Sequence, residues 1–195
     1  GTADSEQGII VYACTLPFLN FPITKRLSEL TGIKRVFVEN DANAAAKGEA
    51  TVGAAKGYAN SVMITLGTGV GGGAIINNKV YSGFNFAGTE LGHIVIVYGK
   101  TAFTAMKQGD AAAKQVVDQY ISYLACGVVN IINIFQPEGL SIGGGVSNER
   151  EYLTKPLIEI VKKEQYSRNS PKQTVIKTAQ LGNDAGIIGA AMLGR

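Results

Sequence analysis

The sequence is poor in residues that staple a fold or ligate a metal. It has two cysteines, Cys14 and Cys126, both in apolar runs, and His93 is the single histidine. Cysteines so few and so far apart do not make a disulfide framework; they read as reduced core thiols of a cytoplasmic protein. Charge of one sign is also lacking. The formal net charge is +3, and basic residues are dispersed apart from a loose group between Lys162 and Lys172. That group reads as a solvated helix face or loop, so no nucleic-acid partner is expected. No apolar run is long enough for a bilayer, so no membrane contact is expected. Gly1–Gln7 is polar, unlike the apolar core of a signal peptide. No internal repeat or low-complexity tract interrupts the chain.

Glycine is what the chain has in quantity, 25 residues in 195, without a fixed period. Hydrophobic residues make up 46%, enough for one core or two small ones. From Gly8 to Ala55 the pattern reads strand (GIIVYA), helix (ITKRLSELTG), strand (KRVFVEN), helix (DANAAAKGEATVGAA), the order of a parallel α/β sheet. SVMITLGTGVGGGAIINNKVYSG then reads strand, glycine loop, strand, with Asn77-Asn78 as a turn into another strand. An apolar run closes FAGTELGHIVIVYGK. Val117, Tyr120, Ile121, Leu124, Val128, Ile131, Ile132 and Phe135 recur at three- and four-residue steps, predicting a helix from Ala111 to Phe135. EGLSIGGGVS is a strand running into a second glycine cluster. The next helix is expected from Pro156 on, TVIKTAQLG is a strand, and NDAGIIGAAMLG is a last helix capped by Asn183 or Asp184.

Three stretches carry chemistry. ITLGTGVGGGAII matches the dinucleotide pattern G-x-G-x-x-G at Gly67, Gly69 and Gly72. That pattern must open a helix, and here strand-forming residues follow Gly73, so the dinucleotide reading fails. No G-x-x-x-x-G-K-[ST] occurs. What remains is a hairpin with a glycine-rich tip, either without a ligand or presenting backbone N–H groups and the Thr68 hydroxyl to an anion. In VENDANAAA, Asn40 and Asp41 lie where a strand end meets a helix. Asp41 is either a helix cap or a general base taking a proton from a substrate hydroxyl, the one side-chain role phosphoryl transfer demands. In AGTELGHIV, Glu90 and His93 stand three apart. His93 is a structural imidazole, a partner with Glu90 for sugar hydroxyls, or a metal ligand. Gly143, Gly144 and Gly145 form a tight turn or a flat rest for a base or ribose.

The ordered set ENDANAAA, LGTGVGGG, AGTELGH, GGGVS and GNDAGIIGAA resembles the ROK family of bacterial sugar kinases and repressors, on its glucokinase branch, within the actin-like/hexokinase superfamily. The resemblance covers essentially the whole chain. It implies an α/β, actin-like (ribonuclease H-like) ATPase-domain fold closing on sugar and ATP. Residues 1–55 would be a remnant of the first lobe carrying the catalytic strand end. Residues 56–195 would be the second lobe with the nucleotide-binding glycine loops, its final helix packing back on the first. Gly67, Thr68 and Gly69 would cradle ATP phosphates. Asp41 would be the base that deprotonates a sugar 6-hydroxyl. Gly1, Thr15, Asn40, Glu90 and His93, with Asp41, would bind the sugar, although many members carry Asn at the position of Thr15. Gly143, Gly144 and Gly145 would face the adenosine. ATP with Mg²⁺ would be the phosphoryl donor, glucose the implied acceptor, and a homodimer or homotetramer the implied assembly. A kinase for another hexose or an N-acetyl amino sugar, and a sugar-responsive repressor, are the alternatives.

The chain departs from the family pattern twice. No Asp-x-Gly-Gly-Thr phosphate motif precedes Gly1. No Cys-x-Cys-Gly-x-x-Gly-Cys-x-Glu segment follows ELGH, where the family joins three cysteines to the histidine around a structural Zn²⁺. The chain passes from VYGK directly to TAFTAMKQGD, with no turn chemistry at Lys100-Thr101. Two explanations compete: both segments belong to the protein and lie outside these 195 residues, which is the expectation, or the chain is truncated and would then have no kinase activity. His93 is a zinc ligand only if the cysteine segment exists.

Overall fold

The computed structural model describes residues 1–13, 16–67, 69–91, 107 and 111–193. Three short strands come first: β1 (Thr2–Asp4), β2 (Ile9–Tyr12) and β3 (Leu19–Phe21), an antiparallel sheet in that order. The Asp4 carboxylate holds the first turn by accepting from the backbone N–H groups of Glu6 and Gln7. Helix α1 (Ile23–Thr31) follows and stops at Gly32, whose φ of 74° closes it with an N–H bond to the Ser28 carbonyl. None of its residues is buried, and Leu27 and Leu30, the face expected to pack, are exposed.

The parallel sheet expected over Gly8–Ala55 is not found. β2 runs antiparallel to both neighbours, and KRVFVEN forms no strand. A strand exists through its ladder. β1 already pairs with β2 on one side, and Phe37, in the middle of the segment, is exposed. The segment instead leads into helix α2 (Asp41–Val52) through Asn40, which is extended at φ −63° and ψ 145°.

The remaining strands form one five-stranded sheet, β6-β5-β4-β7-β8. The hairpin partners β4 (Ser61–Leu66) and β5 (Val70–Ile76) pair from Ser61↔Ile75 to Leu66↔Val70. Asn77 and Asn78, at φ 51° and 64°, make the mirror-image turn into β6 (Lys79–Val80) that matches the twist of a hairpin. β7 (Gly139–Gly143) lies parallel to β4, and β8 (Val175–Thr178) lies parallel to β7.

Alternation along β4 sorts the two faces. Val62, Ile64 and Leu66 join Leu140 and Ile142 in a buried cluster with α3 (Ala111–Phe135) and α4 (Glu151–Glu164). Met63 and Ile75 meet Ala45 and Ala46 of α2 and Ala185 of α5 (Asp184–Met192) on the opposite face. The result is a three-layer sandwich of helices, sheet and helices. α3 has the expected bounds, and its periodic stripe is the part that packs. Cys126 is not a core thiol: it is exposed, because Ala125 holds the inward position and the next residue turns about 100° away. Cys14 lies outside the described residues, as does the apolar run after Leu91.

Two helix starts also differ from expectation. α4 begins five residues before Pro156, because fully buried Leu153 continues the stripe of Leu157 and Val161. Proline so near the start removes one donor without ending the helix. α5 has Asn183 at its cap position in helical conformation with no side-chain cap bond; the Asp184 and Ala185 N–H groups find the Leu181 and Gly182 carbonyls instead.

Candidate active site

α2 begins at a cavity. Asn40 caps it, its side-chain Oδ1 accepting from the N–H groups of Ala42 at 2.9 Å and Asn43 at 3.2 Å. Asp41 is therefore the first helical residue rather than the cap, and it is exposed. Asn43, buried beneath it, donates from Nδ2 to Glu39 Oε1 at 3.1 Å, and its Oδ1 lies 3.3 Å from the Thr89 hydroxyl. These contacts set the first turn of α2 against the loop that carries Glu90. The start of a helix presents the positive end of its dipole, a setting suited to an anionic ligand.

Two cavities meet at this helix start. The smaller, about 370 Å³, is lined by Gly1, Asn40, Asp41, Gly67, Gly69 and Glu90 among others. The larger, about 800 Å³, is lined by Asp41 together with Gly143, Gly144 and Gly145, and by Arg150, Lys177 and Asn183. Asp41, Ala42, Thr65 and Gly144 line both. Residues singled out from separate stretches of sequence are thus brought to two neighbouring spaces that share Asp41 as a lining residue. Thr15, Thr68 and His93 lie outside the described residues.

The glycines of LGTGVGGG divide into two kinds. Side chains at Gly67 and Gly69 would meet nothing within 4 Å, so the tip faces open space. A Cβ at Gly73 would stand 2.6 Å from the Ala42 carbonyl, and one at Gly72 would stand 2.4 Å from Leu91. Close packing leaves no room for a side chain at either, although Gly72 also lines the smaller cavity. The Gly67 N–H is not bare, because it donates to the Gly69 carbonyl at 2.9 Å across the tip. At the other cluster, Gly144 has φ 84° and its Cβ would lie 2.4 Å from the Leu66 carbonyl oxygen, so only glycine suits the turn out of β7.

Asn40 is largely occupied: Oδ1 is spent on the cap, and Nδ2 donates to the Gly1 carbonyl at 3.2 Å. One amide hydrogen remains to offer a ligand. Glu151 lines the larger cavity, and the Lys155 ammonium, 2.6 Å from it on the exposed face of α4, holds that carboxyl below the ordinary carboxylate range. Sequence reasoning missed Thr65, Arg150 and Lys177 as lining residues. Thr65 and Lys177 stand in ordinary strand patterns, and only the register of β4, β7 and β8 brings them to the cleft, while Arg150 stands at the start of α4.

The fold is that of the actin-like α/β proteins. The ROK family profile matches residues 1–99 and 96–195. The glucokinase of Thermotoga maritima is 34% identical over 244 residues, covering 99% of this chain and 76% of that protein. The N-acetyl-D-glucosamine kinase of Mannheimia succiniciproducens is 31% identical over 99% of this chain and 77% of its own length. A ROK family glucokinase from Streptomyces griseus, solved in complex with glucose and AMPPNP, superposes with a TM-score of 0.83 at 27% identity, covering 99% of this chain and 78% of that one. The chain belongs to the ROK family.

The Thermotoga alignment is longer than the 195 residues this chain supplies, and the two family matches meet at residues 96–99, beside Lys100-Thr101. The donors this chain offers do not fit the family's zinc set. Two cysteines and one histidine fall short of four ligands, and Cys126 is exposed on the middle of α3. Among the described residues no group of three or more His, Cys, Asp or Glu could hold a metal.

Proposed function

We propose that this sugar kinase transfers the γ-phosphoryl group of ATP to the 6-hydroxyl of glucose, with Asp41 as general base. One observation carries the reading: Asp41 lines both cavities at the start of α2, so one carboxylate can reach a hydroxyl held on one side and a phosphoryl group arriving from the other. The sugar lies in the smaller cavity against Gly1, Asn40 and Glu90, with Thr15 and His93 as further contacts. The nucleotide lies in the larger one with its adenosine along Gly143, Gly144 and Gly145, and its phosphates extend into the smaller cavity toward Gly67, Thr68 and Gly69. Asp41 accepts the hydroxyl proton as the sugar oxygen bonds to phosphorus, the bond from phosphorus to the bridging oxygen breaks, and ADP leaves. Positioning and charge neutralisation supply most of the rate, and Mg²⁺ enters with ATP as part of that substrate. The product, a hexose 6-phosphate, suits glycolysis in the cytoplasm. A homodimer or homotetramer completes the reading, to be checked by native mass.

A second acceptor, an N-acetyl amino sugar, is supported by the relative named an N-acetyl-D-glucosamine kinase. ADP release measured across glucose, fructose, mannose and N-acetylglucosamine decides between them. Glucose giving the highest kcat/KM is the expected result. Sugar binding without turnover on any of them would favour the repressor alternative.

A further inference from the structure

We infer that the Thr65 hydroxyl is a second catalytic group, donating a hydrogen bond to the phosphoryl group as it passes from nucleotide to sugar. The inference rests on the kinase reading above. Thr65 is the penultimate residue of β4, the central strand, and the sheet register sets Gly71 of β5 on one side of it and Gly143 of β7 on the other. Residues paired across a sheet share a face, so this rung carries one side chain flanked by two glycines. It stands at the carboxyl end of β4, and Thr65 lines both cavities together with Asp41.

The hydroxyl is held in place. The Gly71 N–H donates to Thr65 Oγ1 at 3.2 Å. A hydroxyl has one donor and two acceptor sites; accepting from Gly71 fixes the oxygen and leaves its own O–H to donate. A β-branched side chain has few rotamers in a strand, so little freedom is lost on holding it. The absence of a side chain at residue 71 is part of the arrangement, because a Cβ there would come within 2.6 Å of Thr65 Oγ1. In phosphoryl transfer the charge spreads over three equatorial oxygens, and a donor fixed beforehand acts most strongly on the transition state. A threonine present only to suit the strand would make none of these differences to the chemistry.

Thr65→Val, Thr65→Ala and Thr65→Ser test it in the ADP-release assay, using the hexose that the wild-type protein turns over fastest. The expected result is a kcat lower by about 100-fold in Thr65→Val and Thr65→Ala, the size seen for one fixed donor. KM for sugar and ATP should stay within about threefold, and Thr65→Ser should recover most of the rate. Inhibition by ADP with aluminium fluoride and sugar, which mimics the transferring group, should weaken by the same factor while ADP alone binds as before. Gly71→Ala should reproduce the loss. Wild-type kcat in both hydroxyl-free variants, a Thr65→Ser as slow as Thr65→Val, or a loss confined to KM would overturn the inference. Thr65→Ala introduces no bulk, so a failure of Thr65→Val to fold leaves the question decidable. A wild-type protein that releases no ADP with any hexose would instead overturn the kinase reading, and this inference with it.

Discussion

Asn40 and Asp41 divide two tasks at one helix end. Asn40 satisfies the first free donors of α2, and Asp41 is thereby released to the cavity. Asn40→Ala should cost about 1 kcal/mol of stability through the lost cap, read by urea denaturation. Asn40→Asp should keep the cap and most of that stability. In sequence both residues are favoured caps, and a shift of one position cannot be seen without the backbone. Cap and base were therefore both open readings for Asp41 until Asn40 was seen to take the cap. Glu49 was not legible at all. In an Ala-rich helical stretch a glutamate reads as solvent-facing, yet it is fully buried, its carboxylate accepting from the N–H groups of Ala54, Gln180 and Leu181. It ties α2 to the connection between β8 and α5 that walls the larger cavity. Glu49→Ala strands three donors and should cost about 3 kcal/mol or more, measured as a lower denaturation midpoint.

Among elements, α2 and α5 approach each other closely. A Cβ at Gly189 would fall 1.5 Å from the Ala44 carbonyl oxygen, and one at Gly48 would fall 2.3 Å from the Ala185 carbonyl oxygen. Gly189→Ala forces the helices apart and should cost about 1–3 kcal/mol, seen as a fall in Tm. Gly69→Ala, at the open hairpin tip, should leave Tm unchanged and raise KM for ATP. The pair of variants separates glycines kept for packing from glycines kept for a ligand. Elements with a strong period were legible: α3 was bounded by its apolar stripe, and the β4–β5 hairpin by glycine between two apolar runs. The failures share a cause. KRVFVEN has strand composition but no ladder partner, and Leu153 extends α4 past the proline through tertiary burial that no local propensity carries.

At the scale of the molecule, stability is unevenly spread. The sheet, α3 and α4 share the largest buried cluster, whereas α1 buries nothing and Leu19, Leu30 and Ile33 are well exposed. Among the described residues no helix is long and apolar enough to cross a membrane. Backbone amides of Ile23–Thr31 should therefore exchange with deuterium well before those of α3 between Val117 and Ile132. The two cavities open where α2 meets β4, β5 and β7, on the sheet face opposite the largest buried cluster. The ordered motifs pointed to this cleft in advance, but the sharing of Asp41 and Thr65 by both cavities needed three strands in register. The most direct test of the central claim is hexose-dependent ADP release by wild-type protein and by Asp41→Asn, with sugar binding measured alongside. Turnover in the wild type, a loss of about 100-fold or more in the variant, and unchanged sugar affinity is the predicted result. Wild-type turnover retained by Asp41→Asn would contradict the assignment of Asp41 as the base.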